Sequence, residues 1–219
     1  MALTKYNYNS FDLTTTASKG LAFNSGANGF TTVTEGSIIL IKTLTASSSS
    51  DLTFVNGTSD VVLDNTYTSY MFKFISLNFS NDASNFQVNF RDGGSSYDAS
   101  KTTNYGFAYH DEDDGAQGIT RDDSRAIDAA TAVAVLGQNI GNGSDESLSG
   151  TMYLFNPANT TFQKQFISSV NYYQNSDRSE NVFVGGYCDV TAAIDAVQFT
   201  PSAGTFDTGN IKLYGIKDS

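Results

Sequence analysis

Tryptophan is missing from the 219 residues, and cysteine, histidine and proline are nearly so, with one, one and two respectively. A single cysteine, Cys188, excludes an intrachain disulfide and with it the disulfide-stapled class of small secreted domain. One His and one Cys cannot make a structural zinc site, which takes four N or S ligands. A Ser-His-Asp triad would have to use His110, and no nucleophile elbow accompanies it. Lys and Arg number 12 against 23 Asp and Glu, a net charge of −11. Nucleic-acid binding needs a basic face that displaces counterions, so it is not expected. Docking to anionic lipid headgroups is disfavoured for the same reason. No apolar run approaches the ~20 residues of a membrane-spanning helix. Residues 1–20 are polar and lack the apolar stretch of a secretory leader, so none is expected.

Charged residues are 16% of the chain, so Ser, Thr, Asn and Gly must supply most of the polar surface. Helix surfaces are built from Glu, Lys, Arg and Gln. Their scarcity, beside abundant Thr, Val, Tyr and Phe, points to strands and loops. The length fits one large all-β domain, or such a domain plus a small arm.

Residues 1–36 form the expected N-terminal arm and attachment segment: Ser, Thr, Asn and Gly surround isolated Tyr6, Tyr8, Phe11, Phe23 and Phe30. Such a segment buries little by itself. It reads as an irregular covering layer or as an arm ordered by a neighbour, and the scattered aromatics favour docking on another subunit.

Strand signals begin at Ser37. Residues 37–46 read as a buried run that becomes alternating. Residues 70–80 carry apolar side chains on both faces, Met71, Ile75, Leu77 and Phe79 on one and Tyr70, Phe72 and Phe74 on the other. That pattern suggests a central strand, or one face under a loop or partner. Phe86, Val88 and Phe90 alternate cleanly and are expected inward. Residues 128–136 fit a helix or a strand, and the surrounding β pattern tips the reading to strand. Residues 148–155, 162–173 and 181–190 follow, the last placing Cys188 as a small buried hydrophobe. Residues 194–199 and 209–216 are two further alternating runs joined by a Pro201-Ser202-Ala203-Gly204 turn region, and read as antiparallel strands. About ten strands separated by turn signals predict an all-β, two-sheet antiparallel β-sandwich of jelly-roll type over residues 37–219.

Chemistry-bearing constellations are few. Asp111, Asp113 and Asp114 beside His110 are weak calcium candidates, with Asp122 and Asp123 as possible helpers. Gly115 occupies the third ligand position of an EF-hand register, so a solvated acidic loop is the default. Carboxylate pairs for a glycosidase can be drawn at will among 23 acidic residues and carry no weight. Without Trp, a sugar-stacking platform would use Tyr or Phe. Most Phe residues fall on strand faces and read as core. Tyr172 with Tyr173, and Tyr105 with Tyr109, are the better candidates for glycan contact. No cofactor and no enzyme activity are expected.

Three runs in order carry a family resemblance: 40–50 (LIKTLTASSSS) leading to Phe54 and 67–74 (YTSYMFKF), then 146–157 (ESLSGTMYLFNP), then 194–199 with 209–216 (GNIKLYGI). Together they resemble virion structural proteins of tailed bacteriophages, especially those of marine bacteria. The match spans about residues 37–217. The resemblance implies a jelly-roll module on the virion surface, assembled in the host cytoplasm, with other virion proteins of capsid or tail as partners. A capsid decoration or head-fibre subunit is the favoured expectation, since the chain is short and has no repetitive shaft. A tail-fibre or adsorption protein that binds host-surface glycan is the alternative. A homotrimer is expected by analogy with phage surface proteins.

Overall fold

The computed structural model describes residues 19–23, 26, 30–34 and 36–217. No helix occurs among them, and every strand pairing is antiparallel. The chain divides into two compact units, Met1–Ser37 and Ile38–Ser219. The first contains a hairpin of β1 (Lys19–Phe23) and β2 (Phe30–Thr34). The sequence reading missed this hairpin: β1 (KGLAF) holds no β-branched residue, although β2 (FTTVT) holds four.

The second unit holds β3 (Ile38–Thr45), β4 (Leu52–Val55), β5 (Ser69–Phe79), β6 (Ser84–Arg91), β7 (Lys101–Asp111), β8 (Gln117–Arg121) and β9 (Ile127–Ala130). They are followed by β10 (Ala134–Ile140), β11 (Leu148–Phe155), β12 (Lys164–Gln174), β13 (Arg178–Cys188), β14 (Ala196–Pro201) and β15 (Phe206–Ile216). A broad run pairs in the order β3-β15-β5-β11-β12-β13-β7, and β8 and β9 share the far edge of β7. A short run, β10-β6-β14-β4, joins β12 through the register pair Ile140 and Gln174.

Aromatic rings tie the short run to the broad one across non-hydrogen-bonded strands. Phe86 of β6 and Phe199 of β14 meet Phe74 of β5 with ring centroids 4.9 and 5.2 Å apart. Phe54 of β4 meets Phe72 of β5 at 5.3 Å, and Phe90 of β6 meets Phe166 of β12 at 5.0 Å. Edge-to-face pairs of this kind add about 0.5–1.5 kcal/mol each beyond the area they bury. Phe86, Val88 and Phe90 all point into this core.

The two-faced apolar pattern of β5 has a specific cause. Tyr70, Phe72 and Phe74 are buried, Ser76 is exposed with φ +48°, and Leu77 and Phe79 are buried. A bulge at Ser76 shifts the alternation by one residue, so even-numbered side chains before it and odd-numbered ones after it reach the same core. Registers with β11 and β15 slip at the same level.

Three expectations need correction. Residues 37–46 were expected buried, yet β3 is an edge strand with no buried residue, because β15 alone pairs with it. Residues 131–133 are a break, and the strand starts at Ala134. The runs 194–199 and 209–216 are both strands but do not pair with each other: β14 lies between β4 and β6, while β15 lies between β3 and β5.

Candidate functional site

β12 and β13 are each 11 residues long and pair in register from Lys164–Cys188 to Gln174–Arg178. Their period-two alternation sends Phe166, Val170 and Tyr172 inward, and Ile167, Ser169, Asn171 and Tyr173 outward. The outer face of β11, β12, β13, β7 and β8 therefore shows an unusual mixture of Asn, Ser, Thr and aromatic side chains.

Two depressions lie on it. One, of about 250 Å³, is lined by His110, Glu112, Asn171, Tyr173 and Ser179 among others. Ser179 is in register with both Tyr173 and His110, which sets these three side chains in one row. The Tyr173 hydroxyl donates to Asp177 Oδ1 at 3.0 Å. Its neighbouring carboxylates push the phenol pKa up to about 12, after the larger effect of desolvation. The other depression, of about 340 Å³, is more apolar, with Tyr153, Ile167, Ser169, Phe183 and Gly185 in its walls. Phe183, 44% exposed, lies over Gly106, where an added Cβ would meet the ring at 2.4 Å.

The four tyrosines singled out as glycan contacts do not form one surface. Tyr172 and Tyr105 are buried and cannot meet a ligand at the surface. Tyr172 donates to Glu180 Oε1 at 2.7 Å, and the same oxygen accepts from Gln138 Nε2 at 3.2 Å. The Gln138 amide donates to the Tyr172 oxygen at 2.9 Å. Desolvation pushes both phenols up, and it also raises the Glu180 carboxyl, against the lowering effect of the two bonds it accepts. The Tyr105 hydroxyl is buried with no hydrogen-bond partner. Tyr109 is half-buried under the Arg178 guanidinium, 4.3 Å from its ring centroid. It is in register with Glu180, whereas Tyr173 is in register with Ser179, so the two lie on opposite faces. Sequence spacing could not reveal this, because the parity of β7 relative to β12 is set only by their shared partner β13.

The acidic loop is engaged in local bonds. Asp111 Oδ1 accepts from Arg178 Nε at 2.6 Å, Asp113 Oδ1 from the Gly115 amide at 2.8 Å, and Asp114 sits 3.3 Å from His110 Nε2. Asp122 accepts from the Ser124 amide at 2.9 Å, and Asp123 pairs with Arg121 at 2.5 Å. Among the described residues, no group of three or more His, Cys, Asp or Glu is placed to hold a metal ion. Asp111, Asp113 and Asp114 are thus not brought to a common point.

Two buried lysines were not foreseen. Lys164 and Lys101 flank Cys188 in register across β12, β13 and β7, and all three are fully buried. Lys101 Nζ donates to the Ala132 carbonyl at 2.7 Å, and Lys164 Nζ to the Val190 carbonyl at 3.0 Å. Desolvation pushes the Lys101 pKa down to about 8 and the Cys188 thiol up to about 12. A lysine at a strand end reads locally as surface, so no sequence signal marked them.

Of the arm residues, Tyr6, Tyr8 and Phe11 lie outside the described residues. Phe23 ends β1 and is 71% exposed, and its backbone is in register with Phe30, the first residue of β2. No helix among the described residues is long and apolar enough to cross a membrane. No family model, no curated protein and no solved structure matches the chain.

Proposed function

We propose that the chain is a non-enzymatic structural protein on the surface of a tailed bacteriophage virion, built on a jelly-roll sandwich. The observation that supports the jelly-roll part of this reading is the strand order. A jelly roll folds eight strands into two layers, so that the first strand pairs with the last and the second with the last but one. Taking β3, β4, β5, β6, β10, β11, β14 and β15 as the eight, the pairing runs β3-β15-β5-β11 and β4-β14-β6-β10. In positions this is 1-8-3-6 and 2-7-4-5, the order that rolling up a long antiparallel ribbon generates. β7, β8 and β9 are then an insertion between the fourth and fifth strands, and β12 with β13 an insertion between the sixth and seventh. Both insertions extend the same layer, and they carry the polar-aromatic outer face.

Jelly rolls serve viral shells and lectins alike, so the fold alone does not choose between them. The resemblance of the 146–157 and 209–216 runs to phage virion proteins favours the first. Within it, a capsid decoration or head-fibre subunit is the leading role, assembled in the host cytoplasm, with residues 1–36 as the attachment segment and other virion proteins as partners. An acidic exterior suits a particle surface that must not adhere to nucleic acid. The second reading is a tail-fibre or adsorption protein. It is favoured by the depression holding Tyr173, Asn171, Ser179, His110 and Glu112, a set able to hydrogen-bond and stack on a host-surface glycan.

Reconstruction of purified particles by cryo-electron microscopy tests the proposal. Density for this fold at symmetric positions on the head supports decoration, and a chain lacking residues 1–30 should then stay folded yet fail to be incorporated. Density at the tail alone moves the role to adsorption, where Tyr173→Ala should weaken binding on a glycan array. Particles that contain none of this protein overturn the reading.

A further inference from the structure

The broad sheet ends in two open strands of opposite character. Among the described residues, β3 at one end pairs with β15 alone, and β8 at the other pairs with β7 alone. Open strand edges are templates for pairing with another chain, and monomeric proteins blunt them with charge, proline or cover. Here both ends carry bare apolar side chains, alongside Lys42 on β3 and, on β8, Arg121, which Asp123 already pairs. Ile38 and Leu40 on β3 are 56% and 51% exposed, and Ile119 on β8 is 80% exposed.

Charge separates in the same direction. Lys73 of β5 and Lys212 of β15 stand directly opposite each other in register, on the face that carries Leu40, the register partner of Tyr214. Neither lysine has an ion-pair partner among the described residues. Opposed like charges in a sheet are unfavourable unless an anion lies between or above them. At the β8 end the balance is reversed. Arg178, Arg121 and Arg125 are taken by Asp111, Asp123 and Asp122. Glu112 and Asp113, in the turn from β7 to β8, are exposed and have no cationic partner. A chain of net charge −11 thus sets two unpaired lysines one and two strands in from one open edge, and unpaired carboxylates beside the other.

We infer that the β3 end of one copy docks on the β8 end of a second copy, Ile38 and Leu40 meeting Ile119, with the lysines facing Glu112 and Asp113. The contact is head to tail, because the two surfaces differ. Each copy keeps one free surface of each kind, so the contact can repeat, and it ends in a ring where the rotation between neighbours closes. This does not rest on the virion reading and would hold for a glycan-binding protein equally.

Sedimentation velocity and light scattering on the full chain over a concentration series test it. A closed oligomer is expected. Ile119→Lys should raise its dissociation constant at least about 30-fold, as loss of a central apolar anchor does. Because that position is 80% exposed, the variant should keep the wild-type circular dichroism and melting curve. Lys73→Glu with Lys212→Glu should also dissociate the ring, and adding Glu112→Lys with Asp113→Lys to the same chain should restore it. Phe162→Lys, exposed but on neither edge, should change nothing. A wild-type chain that stays monomeric at every concentration overturns the inference. So does an oligomer indifferent to Ile119→Lys, or one that the combined charge reversal fails to restore.

Discussion

Gly209 of β15 lies against Ser76 of β5 so closely that a Cβ on Gly209 would sit 2.4 Å from the Ser76 carbonyl oxygen. Both residues have positive φ, +105° at Gly209 and +48° at Ser76. Two neighbouring strands therefore bulge at one level, and only a residue without a side chain permits it. The bulge puts Leu77 and Phe79 on the same side as Tyr70, Phe72 and Phe74.

Gly209→Ala is expected to cost about 2–4 kcal/mol, from backbone strain at positive φ together with the forced separation of the strands. Urea titration should show a lower midpoint with an unchanged slope. Deleting Ser76 should be tolerated better, because it removes the extra residue and leaves Leu77 and Phe79 facing the core in unbroken alternation with Phe74. A deletion variant that loses its cooperative melt would count against this reading of the bulge.

Phe199 is the hub of the aromatic core. Its ring centroid is 5.2 Å from Phe74, 5.3 Å from Phe72, 5.6 Å from Phe86 and 6.4 Å from Phe54. Phe199→Ala should cost about 3–5 kcal/mol. Phe162→Ala, at a 69% exposed ring, should cost little. Thermal melts of the two variants check the contrast.

Glu180 is a buried carboxylate whose ordinary value of 4.5 is raised, chiefly by burial. Between 4.5 and the raised value the folded chain holds the proton more often than the unfolded chain, so stability falls as pH rises through that window. Glu180→Gln keeps an acceptor for Tyr172 and Gln138 and removes the charge. It should be within about 1 kcal/mol of wild type at pH 7 and should flatten the stability profile above pH 4.5. Glu180→Ala strands the Tyr172 hydroxyl and the Gln138 amide, and should cost about 2–4 kcal/mol. Equal losses in the two variants would count against this account.

Lys101 titrates near 8 when folded and near 10.5 when unfolded. Over that interval the unfolded chain binds more protons, so stability rises with pH. Cys188 acts the other way above 9, where the unfolded thiol ionises while the folded one waits until about 12. The gain should therefore be visible between about pH 8 and 9, at up to roughly 1 kcal/mol. Lys101→Met should abolish it in denaturant titrations.

The same burial makes Cys188 inert. A thiol reagent such as a disulfide dye should react at the rate of unfolding, not of encounter, because the thiolate is suppressed and the sulfur is covered. Rapid labelling of the folded chain would show that β13 opens locally.

Much of this fold is legible in the sequence. Alternation is a local property, so residues 86–90, 148–155 and 209–216 announce themselves as strands, and Phe86, Val88 and Phe90 as core. The scarcity of charged residues and the single cysteine likewise bound the chain to an all-β class without disulfides. What remained hidden depends on pairing between residues far apart. The bulge at Ser76 became visible only when β15 and β11 were laid beside β5. Tyr172 and Tyr173 look alike in sequence, yet one is sealed over Glu180 and the other faces solvent, because β12 has a partner layer on one side only. Ile38 and Leu40 read as core, and they are exposed because the sheet ends at β3. Side-chain type and period set which segments are strands; which strand lies beside which, and where the sheet stops, is decided by contacts that no local stretch encodes.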